Sequence, residues 1–390
     1  MTPFVRDRFT LLTYLLISWF VYIFSLAGPS MPFLSEEFDL NYTVSGFHAT
    51  AMALGMLAVG FWGDSFIRRF GRYNVLWGGG IGMASGALLL ILGQHPFITI
   101  SGMLFIGTFG GMVPVISQAA LIDKYPQNSA AVLLESGAVA GVAAMFAPIM
   151  ISSWESAGVG WRAAPLFGIL AFILLALWGR GQQIPSAEKQ IKTDGKRVLP
   201  PVFWLYLGVM FMGFASSFCL NFWGAKFLNT HVGLSAELAS FSMTAFFIAI
   251  VIGRFLSSRL THRIAAGPLL IRWVIFSLTG FALFWLSPLA VLNVLGLFVA
   301  GLGMGNTIPL VIASATTAIP GQVDVISARL SLGAGFGALI VPQIIGVAAD
   351  EVGIKTAFGI VLPLLMTMFV LLFFINRAAK DLQLKHQANA

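Results

Sequence analysis

Residues 60–72 read Gly60-Phe-Trp-Gly-Asp64-Ser-Phe-Ile-Arg68-Arg-Phe-Gly71-Arg72, a short charged turn between two long apolar segments. A turn with this many ionisable side chains is too polar to lie in hydrocarbon, and its glycines permit a tight bend. We therefore expect the turn to lie in water at one face of a membrane, with a transmembrane helix on each side of it.

The composition extends this prediction to the whole chain. Hydrophobic residues make up 58% of the 390 positions and charged residues only 9%, with a mean hydropathy of +0.90. A soluble domain could not bury so much apolar surface. Segments of about 20 apolar residues can cross a bilayer, and the sequence predicts twelve of them, at 11–31, 43–62, 74–93, 97–121, 129–152, 163–179, 202–225, 236–257, 267–287, 289–318, 325–348 and 357–376.

The charged turn resembles the signature loop between helices 2 and 3 of the major facilitator superfamily, G-x-x-x-D-x-x-G-R-[KR]. Gly60, Asp64, Arg68 and Gly71 supply most of this pattern, although seven residues separate the aspartate from the second glycine. The resemblance implies an all-α membrane protein with the major facilitator fold, in which two pseudo-symmetric six-helix bundles flank a central cavity. It also implies secondary transport of a small-molecule substrate.

The net charge of +7 is explained by membrane topology rather than by nucleic-acid binding. With twelve crossings and an internal N-terminus, all but three of the 22 Lys and Arg residues fall on the inner side; the exceptions are Arg162, Lys226 and Lys355. This is the positive-inside pattern. We therefore expect a multi-pass protein of the cell inner membrane with both termini in the cytoplasm. We also expect it to be a monomer embedded in the lipid bilayer.

An internal repeat predicts the domain organisation. Shifting the sequence by 194 residues aligns Gly107 with Gly301 and Pro148 with Pro342, without gaps from the first span through the fifth. Such parallel repeats are typical of this class of transporter. We predict an N-terminal bundle at 1–179, a polar cytoplasmic linker at 180–201 and a C-terminal bundle at 202–390.

Charged residues within or beside the spans are candidates for gating. Glu135 lies about two turns into the fifth span, and the repeat places Arg329 at the matching position. From the helix arrangement of the superfamily we expect Glu135 to lie near Arg254, and Arg329 near Asp64 of the signature turn, whose Arg68 is a further gate candidate. These pairs would latch the cytoplasmic side shut. The alternative is that Glu135 and Arg329 satisfy helix ends within their own halves.

Proton coupling has two candidate residues. A carboxylate within a membrane span needs a partner, a proton or water, and Glu135 could therefore carry the coupling proton as well as serve the latch. His48, about two turns into the second span, is the other group able to titrate near neutral pH, and its alternative role is that of a hydrogen-bonded structural histidine.

The substrate site is expected on the first, fourth, seventh and tenth spans, which line the cavity in this superfamily. Their central polar and aromatic residues are Trp19, Tyr22, Ser25, Gln118, Ser217, Asn221, Trp223, Asn306 and Thr307. Pro309 beside the last two lacks an N–H and frees a backbone carbonyl in mid-span. No acidic residue lies in the middle of these four spans, which argues against an organic cation and suits a neutral, apolar or anionic solute.

The sequence contains no phosphate-binding loop, catalytic triad or metal-ligand cluster, so we expect neither a cofactor nor a metal, and no enzyme activity. The leading hypothesis is a secondary active transporter that exports a small organic solute, with protons as the coupling ion. The alternatives are proton-coupled or facilitated uptake (symport rather than antiport) and, from another class, a non-transporting membrane sensor or assembly factor.

Overall fold

The computed structural model describes residues 6–182, 184, 199–319 and 323–388, with the side chains of 130, 323, 324 and 377–388 outside the description. Most of the predicted linker at 180–201 therefore lies outside the described residues. The described part of the chain is α-helical, without strands. The helices are α1 (Arg8–Ser25), α2 (Ala27–Glu37), α3 (Tyr42–Leu92), α4 (Pro96–Lys124), α5 (Ser129–Ser156), α6 (Ala163–Trp178), α7 (Pro201–Thr230), α8 (Ala236–Leu260), α9 (Ala266–Leu286), α10 (Ala290–Met304), α11 (Thr307–Ala318), α12 (Val323–Phe358) and α13 (Val361–Ala388).

Nine segments in the described ranges are long and apolar enough to cross a membrane, and two shorter apolar helices, Ala163–Trp178 and Val361–Asn376, accompany them. One of the nine, α3, contains two crossings. Its 51 residues would extend roughly 76 Å as a straight helix, about twice the thickness of a hydrocarbon core. Gly71 divides α3, because its φ of 79° is a left-handed conformation open to glycine. Counted in this way, the described helices supply the twelve predicted crossings.

The chain divides into two compact units. The first unit comprises Met1–Asp194 with Leu234–Thr244, and the second comprises Gly195–Gly233 with Ala245–Ala390. The bundle boundaries expected from the sequence remain a prediction.

Glycines allow helix backbones to approach closely within each unit. In the first unit, a Cβ atom added at Gly107 of α4 would lie 2.0 Å from the Met52 carbonyl oxygen of α3. In the second unit, a Cβ at Gly301 of α10 would lie 2.6 Å from the Phe246 carbonyl oxygen of α8. These contacts are related by the 194-residue shift. Small residues that let helix backbones approach are the usual means of packing helices in lipid.

The tenth predicted span is not one continuous helix. It divides into α10, which ends at Met304, and α11, which begins at Thr307. Pro309, four residues downstream of Gly305, has no N–H to donate to the Gly305 carbonyl, although prolines inside α4, α5 and α12 leave those helices continuous. The break therefore puts a backbone carbonyl without its helical partner, and the side chain of Asn306, in the interior of the second unit.

Candidate functional site

The break between α10 and α11 is held by an arginine of α8. The Nε of Arg254 donates a hydrogen bond of 3.1 Å to the carbonyl oxygen of Gly305, the oxygen that Pro309 leaves free. α8 approaches closely here, since a Cβ at Gly253 would lie 2.3 Å from the Leu302 carbonyl oxygen. The carbonyl freed by the mid-span proline is thus reached by a side chain, and that side chain carries a charge.

Asn306 stands at the break with part of its hydrogen-bonding capacity unused. Its side chain is fully buried, and its Nδ2 donates to the Leu302 carbonyl oxygen at 2.7 Å. Its Oδ1 is buried and has no partner among the described residues. The neighbouring Thr307 is also buried and packs against α7, where a Cβ at Gly213 would lie 2.5 Å from its methyl group. A buried amide oxygen without a partner costs free energy, so the break is a candidate binding site.

Glu135 has a partner that the sequence did not predict. Arg6, just before α1, donates from Nε to one carboxylate oxygen at 2.9 Å and from Nη2 to the other at 2.6 Å. The hydroxyl of Tyr14 donates to the same carboxylate at 3.2 Å. The Glu135 side chain remains 34% exposed. The structure therefore gives Glu135 a bidentate ion pair within the first unit, and its predicted pairing with Arg254 stays a prediction.

The remaining gate candidates lie at the surface of their own units. Asp64 is 3.6 Å from Arg68, one helical turn away, and both side chains are highly exposed. Arg329 is exposed on α12 and shows no ion pair within the described residues. The predicted pairing of Arg329 with Asp64 also remains a prediction.

His48 is fully buried, and both of its ring nitrogens are engaged. Nδ1 lies 3.1 Å from the Val44 carbonyl oxygen, and Nε2 lies 2.9 Å from the hydroxyl of Thr99 on α4. This environment favours the structural interpretation of His48 over a coupling role, because both ring nitrogens lie within hydrogen-bonding distance of partners in the first unit.

The other predicted substrate residues fall into two groups. Trp19 and Tyr22 are buried and donate to α6 carbonyls, those of Gly168 (2.7 Å) and Ala164 (2.9 Å). Three of the predicted substrate residues are accessible: Ser217 and Asn221 are partly buried, and Gln118 is exposed. Ser25 is buried, and the buried Trp223 donates to the Pro342 carbonyl oxygen at 3.1 Å. The donors of Trp19, Tyr22 and Trp223 are thus used within their own units.

A second ion pair beside Arg6 fixes the start of α1. Asp7 caps the helix by accepting from the amide of Thr10 at 3.0 Å, and it also pairs with Lys124 at the end of α4. Partial burial opposes ionisation of Asp7, but the hydrogen bonds from Lys124 and Thr10 outweigh it and hold the pKa at about 2. Sequence reasoning missed Arg6 and Asp7, because nothing local distinguishes them from other charged residues near a terminus.

This ion pair predicts a pH dependence. Because the folded-state pKa of Asp7 lies below its ordinary 3.8, the ionised carboxylate stabilises the fold above about pH 4, and this contribution disappears as the pH falls through about 2. Asp7 is partly exposed, so we expect the effect to stay below about 1 kcal/mol. Melting curves of wild type and Asp7→Asn in detergent should differ at pH 6 and converge towards pH 2; a constant difference would contradict the assignment.

Helices long and apolar enough to cross a membrane, one of them interrupted at a buried polar residue, are typical of membrane transporters. The chain belongs to the Major Facilitator Superfamily, whose sequence profile matches residues 10–327. It is accordingly a multi-pass membrane transporter of unspecified substrate and not an enzyme.

Relatives and solved structures agree with this assignment. An uncharacterized MFS-type transporter of Yersinia pestis is 23% identical over 352 residues, which cover 87% of this chain and 89% of the relative. A bacterial homolog of the human lysosomal transporter Spinster is 16% identical, with a TM-score of 0.71 and coverage of 95% of this chain and 96% of that one. A D-xylose-proton symporter is 14% identical, with a TM-score of 0.74 and coverage of 93% and 96%. At these identities the two solved structures establish the fold alone.

Proposed function

We propose that this protein is a secondary active transporter that moves a small organic solute, neutral or anionic, across the inner membrane by alternating access. The observation that carries this proposal is the break between α10 and α11. Asn306 is buried at the break, and Arg254 donates to the Gly305 carbonyl oxygen, which lacks its helical partner. Non-helical backbone at membrane depth is tolerated where protein or a water-filled cavity satisfies it, and interrupted helices are typical of substrate sites in secondary transporters.

We further propose that protons drive the transport and that export is the physiological direction. Glu135 is the candidate proton carrier, because it is a partly exposed carboxylate within an apolar helix; binding a proton there would require its ion pair with Arg6 to open. A protein of the same fold is described as a D-xylose-proton symporter. That comparison favours uptake as the second candidate, so the direction must come from experiment. A static sensor or scaffold would have no need for a buried amide oxygen that lacks a partner among the described residues at a helix break.

Reconstitution tests the proposal. Purified protein is placed in proteoliposomes, a pH gradient is imposed, and flux of labelled sugars, nucleosides and carboxylates is followed in both gradient directions. We expect at least one solute to accumulate against its gradient. An antiporter should accumulate it on the acidic side, because the solute moves opposite to the protons, and a symporter should accumulate it on the alkaline side. Solute exchange without accumulation would contradict proton coupling. If folded, monodisperse protein shows neither exchange nor accumulation, the result would favour the sensor or scaffold.

Arg329 provides a test of the proposed latch. In a Cys219→Ser background, which removes the single cysteine, a cysteine at the exposed position Gln118 reports access from the cytoplasm. Arg329→Ala should increase its labelling by a membrane-impermeant maleimide several-fold, because the lost charge would release the pairing with Asp64. Arg329→Lys keeps the charge and should label like the parent. Equal labelling in the parent, the Arg329→Ala protein and the Arg329→Lys protein would contradict the proposed latch.

A further inference from the structure

We infer that Arg254 and the α10–α11 break recognise a small carboxylate that carries a hydrogen-bond donor next to its carboxylate, as a 2-hydroxy acid does. The inference rests on the proposed function, because it names the class of solute that the site takes. Three features of the second unit support it: the unused donors of Arg254, the unpaired acceptor of Asn306, and the absence of both side chains from the equivalent place in the first unit.

Arg254 supplies the positive charge. A guanidinium has five N–H donors, and one of those of Arg254 is engaged by the Gly305 carbonyl. No carboxylate lies within ion-pair distance of Arg254 in the described part of the chain. Arg254 is exposed, whereas the preceding residue, Gly253, is buried against α10. A cation within a membrane span is retained where it faces water or a counter-charge. The remaining donors form the planar fork that binds a carboxylate through two parallel hydrogen bonds.

Asn306 supplies the complementary acceptor. Its orientation is fixed, because only the amide nitrogen can donate to the Leu302 carbonyl oxygen at 2.7 Å; the reverse orientation would place two oxygens together. The buried Oδ1 therefore needs a donor. Asn306 is also the N-cap of α11 and makes no side-chain capping bond, so its Oδ1 is not used by the helix that it precedes. A solute with a hydroxyl or amino group beside a carboxylate meets both needs.

The internal repeat shows that the fold itself does not require these residues. The 194-residue shift relates Arg254 to Gly60 and Asn306 to Met112. The first unit has the same close contact between its second and fourth crossings, yet α4 runs unbroken from Pro96 to Lys124. Its equivalent positions carry no charge and no amide. The arginine, the amide and the break are therefore features of the second unit in addition to the shared scaffold.

Binding to purified full-length protein tests the inference. The probes are lactate, malate and mandelate, each compared with the analogue that lacks the hydroxyl (propionate, succinate, phenylacetate) and with its primary amide. Affinity is taken from ligand-induced shifts of the melting temperature. At least one hydroxy acid should bind saturably, several-fold more tightly than the analogue without the hydroxyl and about 100-fold more tightly than the amide. If none of the three acids binds, or if the amide binds as well as the acid, the inference is wrong.

Variants separate recognition from folding. Arg254→Gln should weaken binding of the acid about 100-fold, whereas the control Arg259→Gln, which removes an exposed arginine of the same helix, should leave it unchanged. Arg254→Lys keeps the charge and should retain part of the affinity, which identifies the loss in Arg254→Gln as one of charge recognition. Asn306→Ala should abolish the preference for the hydroxyl while acid and amide remain distinguished. Equal losses in the Arg254→Gln and Arg259→Gln proteins would overturn the inference.

Failure of this inference is distinguishable from failure of the proposed function. If proteoliposomes accumulate a neutral solute and Arg254→Gln leaves that flux unchanged, the protein is a transporter but the carboxylate site is wrong. If a hydroxy acid binds with the expected variant pattern but no flux is driven by any gradient, the site is right and the transport mechanism is wrong.

Discussion

Gly107→Ala is expected to prevent stable folding of the transporter, although the change adds a single methyl group. The new Cβ would lie 2.0 Å from the backbone oxygen of Met52 and 2.9 Å from its carbonyl carbon. Backbone atoms cannot move aside as a flexible side chain can, so α3 and α4 would have to separate. Overpacking costs about 1–3 kcal/mol and occasionally more, and a clash with backbone atoms belongs at the upper end, which is a large share of the stability of a protein domain.

The same substitution at Gly137 is the matched control. Gly137 also lies inside a helix of the first unit, but a Cβ there meets nothing within 4 Å. Because alanine is the better helix former, Gly137→Ala should be neutral or stabilising by about 0.5–1 kcal/mol. The measurement is the fraction of monodisperse protein that remains after heating in detergent. Equal losses in the two variants, or an unaffected Gly107→Ala protein, would contradict the close α3–α4 contact.

Glu135→Gln is expected to abolish gradient-driven transport while sparing exchange. Glutamine keeps the size of the side chain but cannot bind or release a proton, so a carrier cycle that needs protonation of Glu135 would lose its coupling. The rate of solute accumulation under a pH gradient should fall to the rate measured without a gradient. We expect a drop of at least about tenfold for the loss of one proton-transfer group. Counterflow exchange of solute, which needs no net proton movement, should continue.

Glu155→Gln is the control for this experiment. Glu155 is another carboxylate of α5, and it accepts a hydrogen bond from the backbone amide of Trp161 at 2.7 Å rather than from an arginine. Its replacement should leave gradient-driven accumulation intact. If Glu135→Gln accumulates solute as the wild type does, Glu135 is not the proton carrier, and the ion pair with Arg6 is structural. If exchange is lost together with accumulation, Glu135 is needed for the conformational cycle itself.

Much of the fold could be predicted from local sequence patterns. Long apolar segments predicted the crossings, and the family resemblance of the turn at 60–72 is confirmed by the superfamily match. The freed carbonyl near Pro309 was also predictable, since a missing N–H acts four residues back along the same helix. Each of these properties depends on residues close together in the sequence, and burial of apolar surface in lipid leaves a span few alternatives to a helix.

The partners of charged and polar side chains could not be predicted in this way. Arg6 and Glu135 are 129 residues apart, and their pairing depends on the rotation of α1 and α5 about their own axes. A hydropathy pattern leaves that rotation undetermined when polar residues are few. The sequence by itself determined that this chain crosses a membrane repeatedly, as a duplicated transporter bundle. Only the tertiary structure decided which carboxylate meets which arginine and that the amide oxygen of Asn306 has no partner among the described residues, because such contacts depend on distances of a few ångströms between helices remote in sequence.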